Sequence, residues 1–141
     1  MALITLIYAS SAVGSLKKSE ILKILKTSHE NNGSKGITGM LLFKDGNFMQ
    51  VLEGDSSAVD ELYLKISRDP RHTGIITLVR RHILKRSFSD WKMGFKDLGD
   101  LTQDEKAAYS DFLDIPLNDL VYASSPDVAF KLLESFKKTV R

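Results

Sequence analysis

Ile37-Thr38-Gly39-Met40-Leu41-Leu42-Phe43-Lys44-Asp45-Gly46-Asn47-Phe48-Met49-Gln50-Val51-Leu52 is the stretch whose reading decides the fold. Two strand-like runs, 37–43 and 48–52, flank Lys44-Asp45-Gly46-Asn47. Asp-Gly between two apolar runs is the strongest short-range signal for a β-hairpin, because both residues accept the positive φ that a tight turn requires. The second run holds an anomaly. Gln50 stands in the middle of Phe48-Met49-Gln50-Val51-Leu52, and a buried amide is costly unless both of its ends are hydrogen-bonded.

Upstream of the hairpin, residues 3 to 9 are rich in Leu, Ile and Thr and end at Ala9-Ser10-Ser11, a strand running into a loop. Ser15 or Ser19 caps an expected helix whose apolar positions are Ile21, Leu22, Ile24 and Leu25, and Asn31-Asn32-Gly33 ends it. Downstream, Glu53-Gly54-Asp55-Ser56 closes the hairpin and opens a second helix. Val59, Leu62, Tyr63 and Ile66 form its stripe, and Asp69-Pro70 stops it. Ile75 to Leu84 reads as a further strand and Trp91 to Leu98 as a short fifth. The order β-α-β-β-α-β-β is that of an α+β domain of the ferredoxin-like, split βαβ kind, with both helices expected on one face of the sheet.

From about residue 102 the pattern changes. Thr102-Gln103-Asp104-Glu105 is a capping box ahead of Ala107, Ala108, Tyr109, Phe112 and Leu113 at helical spacing. Ser124 or Ser125 starts a last helix through Val128, Phe130, Leu132, Leu133 and Phe136. The expected division is a ligand-binding domain over 1–98 and a two-helix cap over 99–141. The cap is too small to stand alone and must pack on the sheet or on another subunit.

Composition narrows the function classes. At 141 residues and 43% hydrophobic, the chain suits one compact domain with a core. A net charge of +2 is too small for a nucleic-acid footprint. The one cluster, Arg80-Arg81-His82 with Lys85-Arg86, reads as a solvated strand edge that resists aggregation. The absence of cysteine removes disulfides, thiolate nucleophiles and cysteine metal sites, and His29, His72 and His82 have no ligand spacing, so no metal is expected. Met1 to Tyr8 lacks a basic leader and no stretch is long enough to span a bilayer, so a cytoplasmic protein without membrane contact is expected.

Three functions compete for such a domain. An acylphosphatase-like enzyme needs an arginine-bearing anion loop after the first strand, and Ala9-Ser10-Ser11-Ala12-Val13-Gly14 has no arginine. An RNA-binding sheet needs base-stacking aromatics in a basic motif, and only Phe48 is suitably placed. The third is a ligand held between helices and sheet. Tyr8 on the first strand, Gln50 on the hairpin and Asn31-Asn32 at the first helix end are polar residues that a plain core would not choose. Converging on one cavity, they suit a planar heterocycle with alternating donors and acceptors on its edge. Singly, each has an ordinary explanation: a core tyrosine, a helix stop, a solvent-facing glutamine. Ile24, Ile66, Trp91 and Met93 are on pattern alone core or interface residues.

Together the segments resemble a family. Leu6-Ile7-Tyr8-Ala9-Ser10, Asn31-Asn32, Gly36-Ile37-Thr38-Gly39-Met40-Leu41-Leu42, Phe48-Met49-Gln50-Val51-Leu52-Glu53-Gly54, Asp69-Pro70-Arg71-His72 and Phe88-Ser89-Asp90-Trp91-Lys92-Met93 are similar throughout to the BLUF (blue-light-using-flavin) domain, over residues 1 to about 98. The last 40 or so residues resemble the two-helix cap of the short, single-domain members.

The resemblance implies non-covalently bound FAD with its ring between the two helices, Ile24 and Ile66 on its faces, and Phe48 nearby. It places Asn31 and Asn32 on the polar edge of the ring, Asn32 near the C4 carbonyl, and Gln50 between the ring and the Tyr8 hydroxyl. Lys65, Asp69, Arg71 and His72 fall near the ribityl and phosphate end, and Ser10 and Ser28 are secondary contacts. Lys65 stands where several relatives carry arginine, keeping the charge without the bidentate fork. The implied activity is a light-driven hydrogen-bond switch and not turnover. Tyr8 gives up an electron and a proton and recovers them, the Gln50 amide is left rearranged, and the absorption shifts reversibly to the red. Output is expected through Trp91 and Met93 to the C-terminal helices, then to a second copy of the chain and a separate response protein. A flavin-dependent redox enzyme and a flavin-free interaction module are the alternatives. The first lacks a Gly-x-Gly-x-x-Gly fingerprint, and the second has no need of Tyr8 and Gln50.

Overall fold

The computed structural model describes residues 2–14, 20, 35–88, 94–97, 117, 122, 124 and 126–135. Five strands form one sheet: β1 (Leu3–Ala12), β2 (Thr38–Lys44), β3 (Asn47–Asp55), β4 (His72–His82) and β5 (Gly94–Asp97), in the order β4-β1-β3-β2-β5. β1 lies antiparallel to both β3 and β4, β2 antiparallel to β3, and β5 parallel to β2. This is the split βαβ arrangement expected from the element order: β1 and β2 run the same way with β3 between them. Two helices are described, α1 (Ser56–Ser67) and α2 (Pro126–Ser135).

The hairpin forms as its sequence requires. Asp45 and Gly46 both take positive φ, 49° and 81°, the pair of left-handed residues that matches the twist of the flanking strands. Gly39 has a different reason to be glycine. A Cβ there would stand 1.9 Å from the Val51 carbonyl oxygen, so the close approach of β2 to β3 depends on its absence.

Strand alternation divides the buried side chains into two clusters. Ile4, Leu6, Tyr8, Leu41, Phe48 and Leu52 lie on one face with Ile37 and Val59, and Leu62, Tyr63 and Ile66 of α1 pack against them. Ile7, Ala9, Met40, Leu42, Met49 and Val51 lie on the other, covered by Ala129, Leu132 and Leu133 of α2 together with Leu117 and Tyr122. The C-terminal segment therefore packs on the sheet face opposite α1. The stripe Val59, Leu62, Tyr63 and Ile66 points inward as its spacing predicts.

Several boundaries differ from expectation. The hairpin does not close at residue 52: Glu53, Gly54 and Asp55 stay in the ladder opposite Thr5, Ile4 and Leu3, because β1 is long enough to pair them. β4 begins at His72 and carries register shifts against β1, with Gly74 at φ 62°. It is an edge strand, as read from its basic residues, yet these are not simply solvated. Arg80 forks onto Asp60 of α1 at 3.0 and 2.7 Å, and Arg86, in the segment that follows the strand, reaches Thr38 Oγ1 at 2.9 Å. The helix expected before residue 31 and the one expected near 102–113 fall outside the described residues, apart from the helical Glu20.

Candidate functional site

Tyr8 and Gln50 are brought together by the ladder. The two are directly opposed in the β1–β3 register, and Leu41 opposes Gln50 from the other side, so the three form a row across one face. Both polar residues are buried, at 4% and 6% exposure. The Tyr8 hydroxyl donates to Gln50 Oε1, joining residues 42 apart in sequence. Burial holds the Tyr8 hydroxyl protonated to well above the ordinary tyrosine range. The neighbouring Tyr63 and the Asp69 carboxylate add to that effect.

Around this pair the face is mixed. Phe48, buried, lies against Phe43 with ring centroids 4.9 Å apart. Ser10 shares the face by alternation, and its fully buried Oγ has no hydrogen-bond partner among the described residues. Buried hydroxyls are rarely left so, and a ligand bearing donors and acceptors on this face is what would complete it. Ile66 is half-buried against the same cluster.

The segment after α1 is an ordered turn. The Asp69 carboxylate accepts from the Arg71 side chain at 2.9 and 3.0 Å and from the Arg71 backbone at 2.9 Å. Those hydrogen bonds hold Asp69 below the usual carboxylate range and Arg71 above its own. A ring nitrogen of His72 (Nε2) meets the Ile66 carbonyl, and the His72 ring lies 6.4 Å from that of Tyr8. Lys65 is exposed on α1. Ile24, Ser28, Asn31, Asn32, Trp91 and Met93 lie outside the described residues.

Sequence reading missed Tyr63 as a site neighbour. Its ring sits 5.5 Å from that of Tyr8, and its hydroxyl is 2.6 Å from Thr77 Oγ1 of β4. The available signal was its spacing, three residues before Ile66 and so on the same helix face. No group of residues able to hold a metal ion occurs among the described residues. No described helix is long and apolar enough to cross a membrane.

A buried phenol hydrogen-bonded to an amide, beside an unpartnered hydroxyl, is an arrangement suited to a polar-edged planar ligand. Known proteins of similar sequence and shape agree. The sequence model of the BLUF domain, described as sensors of blue light using FAD, matches residues 3–94. The chain is 38% identical over 92 residues to photoactivated adenylate cyclase subunit beta of Euglena longa, an alignment that takes in 64% of this chain and 11% of that protein. It thus spans a small part of the length of the curated relatives. The dark-state structure of BlrB, described as a BLUF protein, superposes with a TM-score of 0.82 at 32% identity over 98% of this chain and 97% of its own. A bacterial light-regulated adenylyl cyclase superposes with a TM-score of 0.76 at 35% identity, over 92% of this chain and 36% of its own.

Proposed function

The chain belongs to the BLUF family, sensors of blue light using FAD, and on that premise we propose that Tyr8 and Gln50 are its light-responsive pair. The observation that carries this reading is the direct, buried hydrogen bond from Tyr8 to Gln50 on the sheet face that α1 partly covers. FAD, when bound, supplies the absorption of blue light and an electron acceptor. The protein's own contribution is to keep a proton at the Tyr8 oxygen, directed at Gln50 Oε1, in surroundings that disfavour the phenolate. An amide has chemically different ends, so turning it, or tautomerising it, replaces the acceptor facing Tyr8 by a donor. That exchange is the switch.

The remaining assignments belong to the same proposal. Ile24 and Ile66 flank the ring, Phe48 lines its site, and Asn31, Asn32, Ser10 and Ser28 meet its polar groups. Lys65, Asp69, Arg71 and His72 serve the ribityl and phosphate end, Arg71 oriented by its fork on Asp69. Residues 1–98 form the sensor and 99–141 the cap, consistent with α2 lying on the far side of the sheet. Trp91 and Met93 carry output to a second copy of the chain and to a separate response protein in the cytoplasm. The family resemblance supports these roles.

The test is an absorption spectrum of the FAD-loaded protein before and after blue light, followed through dark recovery. The expected result is a small red shift that reverts in the dark and is lost in Tyr8→Phe and in Gln50→Ala. Bleaching to reduced flavin without a red shift would overturn the reading in favour of redox chemistry. Failure to take up flavin under reconstitution would overturn it in favour of an interaction module.

A further inference from the structure

Glu53 lies three residues beyond Gln50 on β3, and an odd separation along a strand places the two side chains on opposite faces. Its carboxyl group is buried at 1% exposure. Oε2 accepts from the backbone N–H of Ser87 at 3.1 Å, and Oε1 from that of Phe88 at 2.7 Å. Arg86 is held at the same place: its Nη1 donates to the Glu53 carbonyl oxygen at 3.1 Å and to Thr38 Oγ1 at 2.9 Å. Residues 86–88 belong to no helix or strand, so no ladder satisfies the amides of 87 and 88. The Glu53 side chain takes that place. Phe88 is fully buried and meets Phe130 of α2 edge-on, with ring centroids 6.3 Å apart at 74°.

A continuous run of direct contacts therefore leads from the strand bearing Gln50, through Glu53 and Phe88, to Phe130 of α2. We infer that Glu53 is a positioning residue that passes a rearrangement at Gln50 through the sheet to α2 by way of Phe88 and Phe130. The inference rests on Tyr8 and Gln50 being the switch. Two hydrogen bonds to a carboxyl group form a stiff link, and a close-packed interior has no slack to absorb a displacement of β3. A residue that merely held the loop would hold it equally in darkness and in light.

The test is hydrogen exchange resolved to single amides on the full chain loaded with FAD, in darkness and under steady blue light. In the parent, light changes exchange at Ser87, Phe88 and across 126–135. Glu53→Gln keeps one acceptor oxygen and turns an NH₂ toward the other amide. In the dark one of the two amides is expected to exchange roughly tenfold faster or more. The red shift persists and the light-minus-dark difference over 126–135 disappears. Phe130→Leu decides the matter independently should the first variant fail to fold. It retains the red shift and the light response of Ser87 and Phe88, and loses that of α2. A variant that keeps the parent's light-minus-dark difference in α2, or a parent with a red shift and an unmoved α2, overturns this inference alone. A parent without a red shift overturns the Tyr8–Gln50 reading, and this inference with it.

Discussion

On one side of β1 and β3 the alternating side chains are Ile4, Leu6, Tyr8 and Ser10, with Phe48, Gln50 and Leu52. On the other they are Ile7 and Ala9, with Met49 and Val51. The second set is covered by α2 and is apolar until its end, where Thr5 and Glu53 sit opposite each other. The first set places a phenol, an amide and a hydroxyl in the middle of the sheet, where leucine or valine would pack at lower cost. Two faces made by the same strands thus follow different rules. The face under α2 is apolar through its centre and keeps its polar pair, Thr5 and Glu53, at its end, whereas the other gives up packing at its centre to hold polar groups in set positions, which marks the site.

Gly39→Ala would break both faces at once. A methyl group 1.9 Å from the Val51 carbonyl oxygen must push β2 from β3, and a loss beyond about 4 kcal/mol is expected, read as failure to give a cooperative denaturant transition. Leu132→Ala separates the faces. Leu132 is buried under the packing face, so its truncation should cost about 2–5 kcal/mol in chemical denaturation. Any protein that remains folded should keep its full red shift.

Tyr8→Phe makes the opposite cut, abolishing the red shift for a stability change of only about 1 kcal/mol. It also has a signature in pH. The folded state holds the Tyr8 proton more tightly than the unfolded chain does, so the stabilisation is whole below the ordinary tyrosine value of about 10. Above that pH the unfolded chain releases its proton first, and stability falls as pH rises toward the folded value. Urea midpoints measured on the alkaline side should therefore fall less steeply in Tyr8→Phe than in the parent. The smallest effect belongs to the rim. Asp69→Asn removes a largely exposed fork on Arg71, and a loss below about 1 kcal/mol is expected, diminishing further in high salt. A larger loss would mean that the turn supports the Tyr8 face more strongly than its exposure implies.

Much of this was legible in the chain itself because the rules concerned act over a few residues. Asp45-Gly46 specified the turn, the apolar runs of β1, β2 and β3 their strands, and the spacing from Val59 to Ile66 the inward stripe of α1. The Tyr8–Gln50 pairing was reached through resemblance. Residues alone left Tyr8 as a core tyrosine and Gln50 as a possible surface amide. Its physical basis is a register between strands 42 residues apart in sequence, and no local pattern specifies that. Nor could local pattern extend the hairpin through Glu53 to Asp55, since the length of β1 decided it. Glu53 read as part of the connection into the second helix until packing set its carboxyl group against amides 34 and 35 residues away, and Tyr63 as an apolar stripe position until β1 came beneath it. The sequence determined the elements and the inward stripe of the helix over 56–67, because propensity and periodicity are local. Only the tertiary structure decided which polar groups meet, because burial forces each to find a partner wherever the chain brings one.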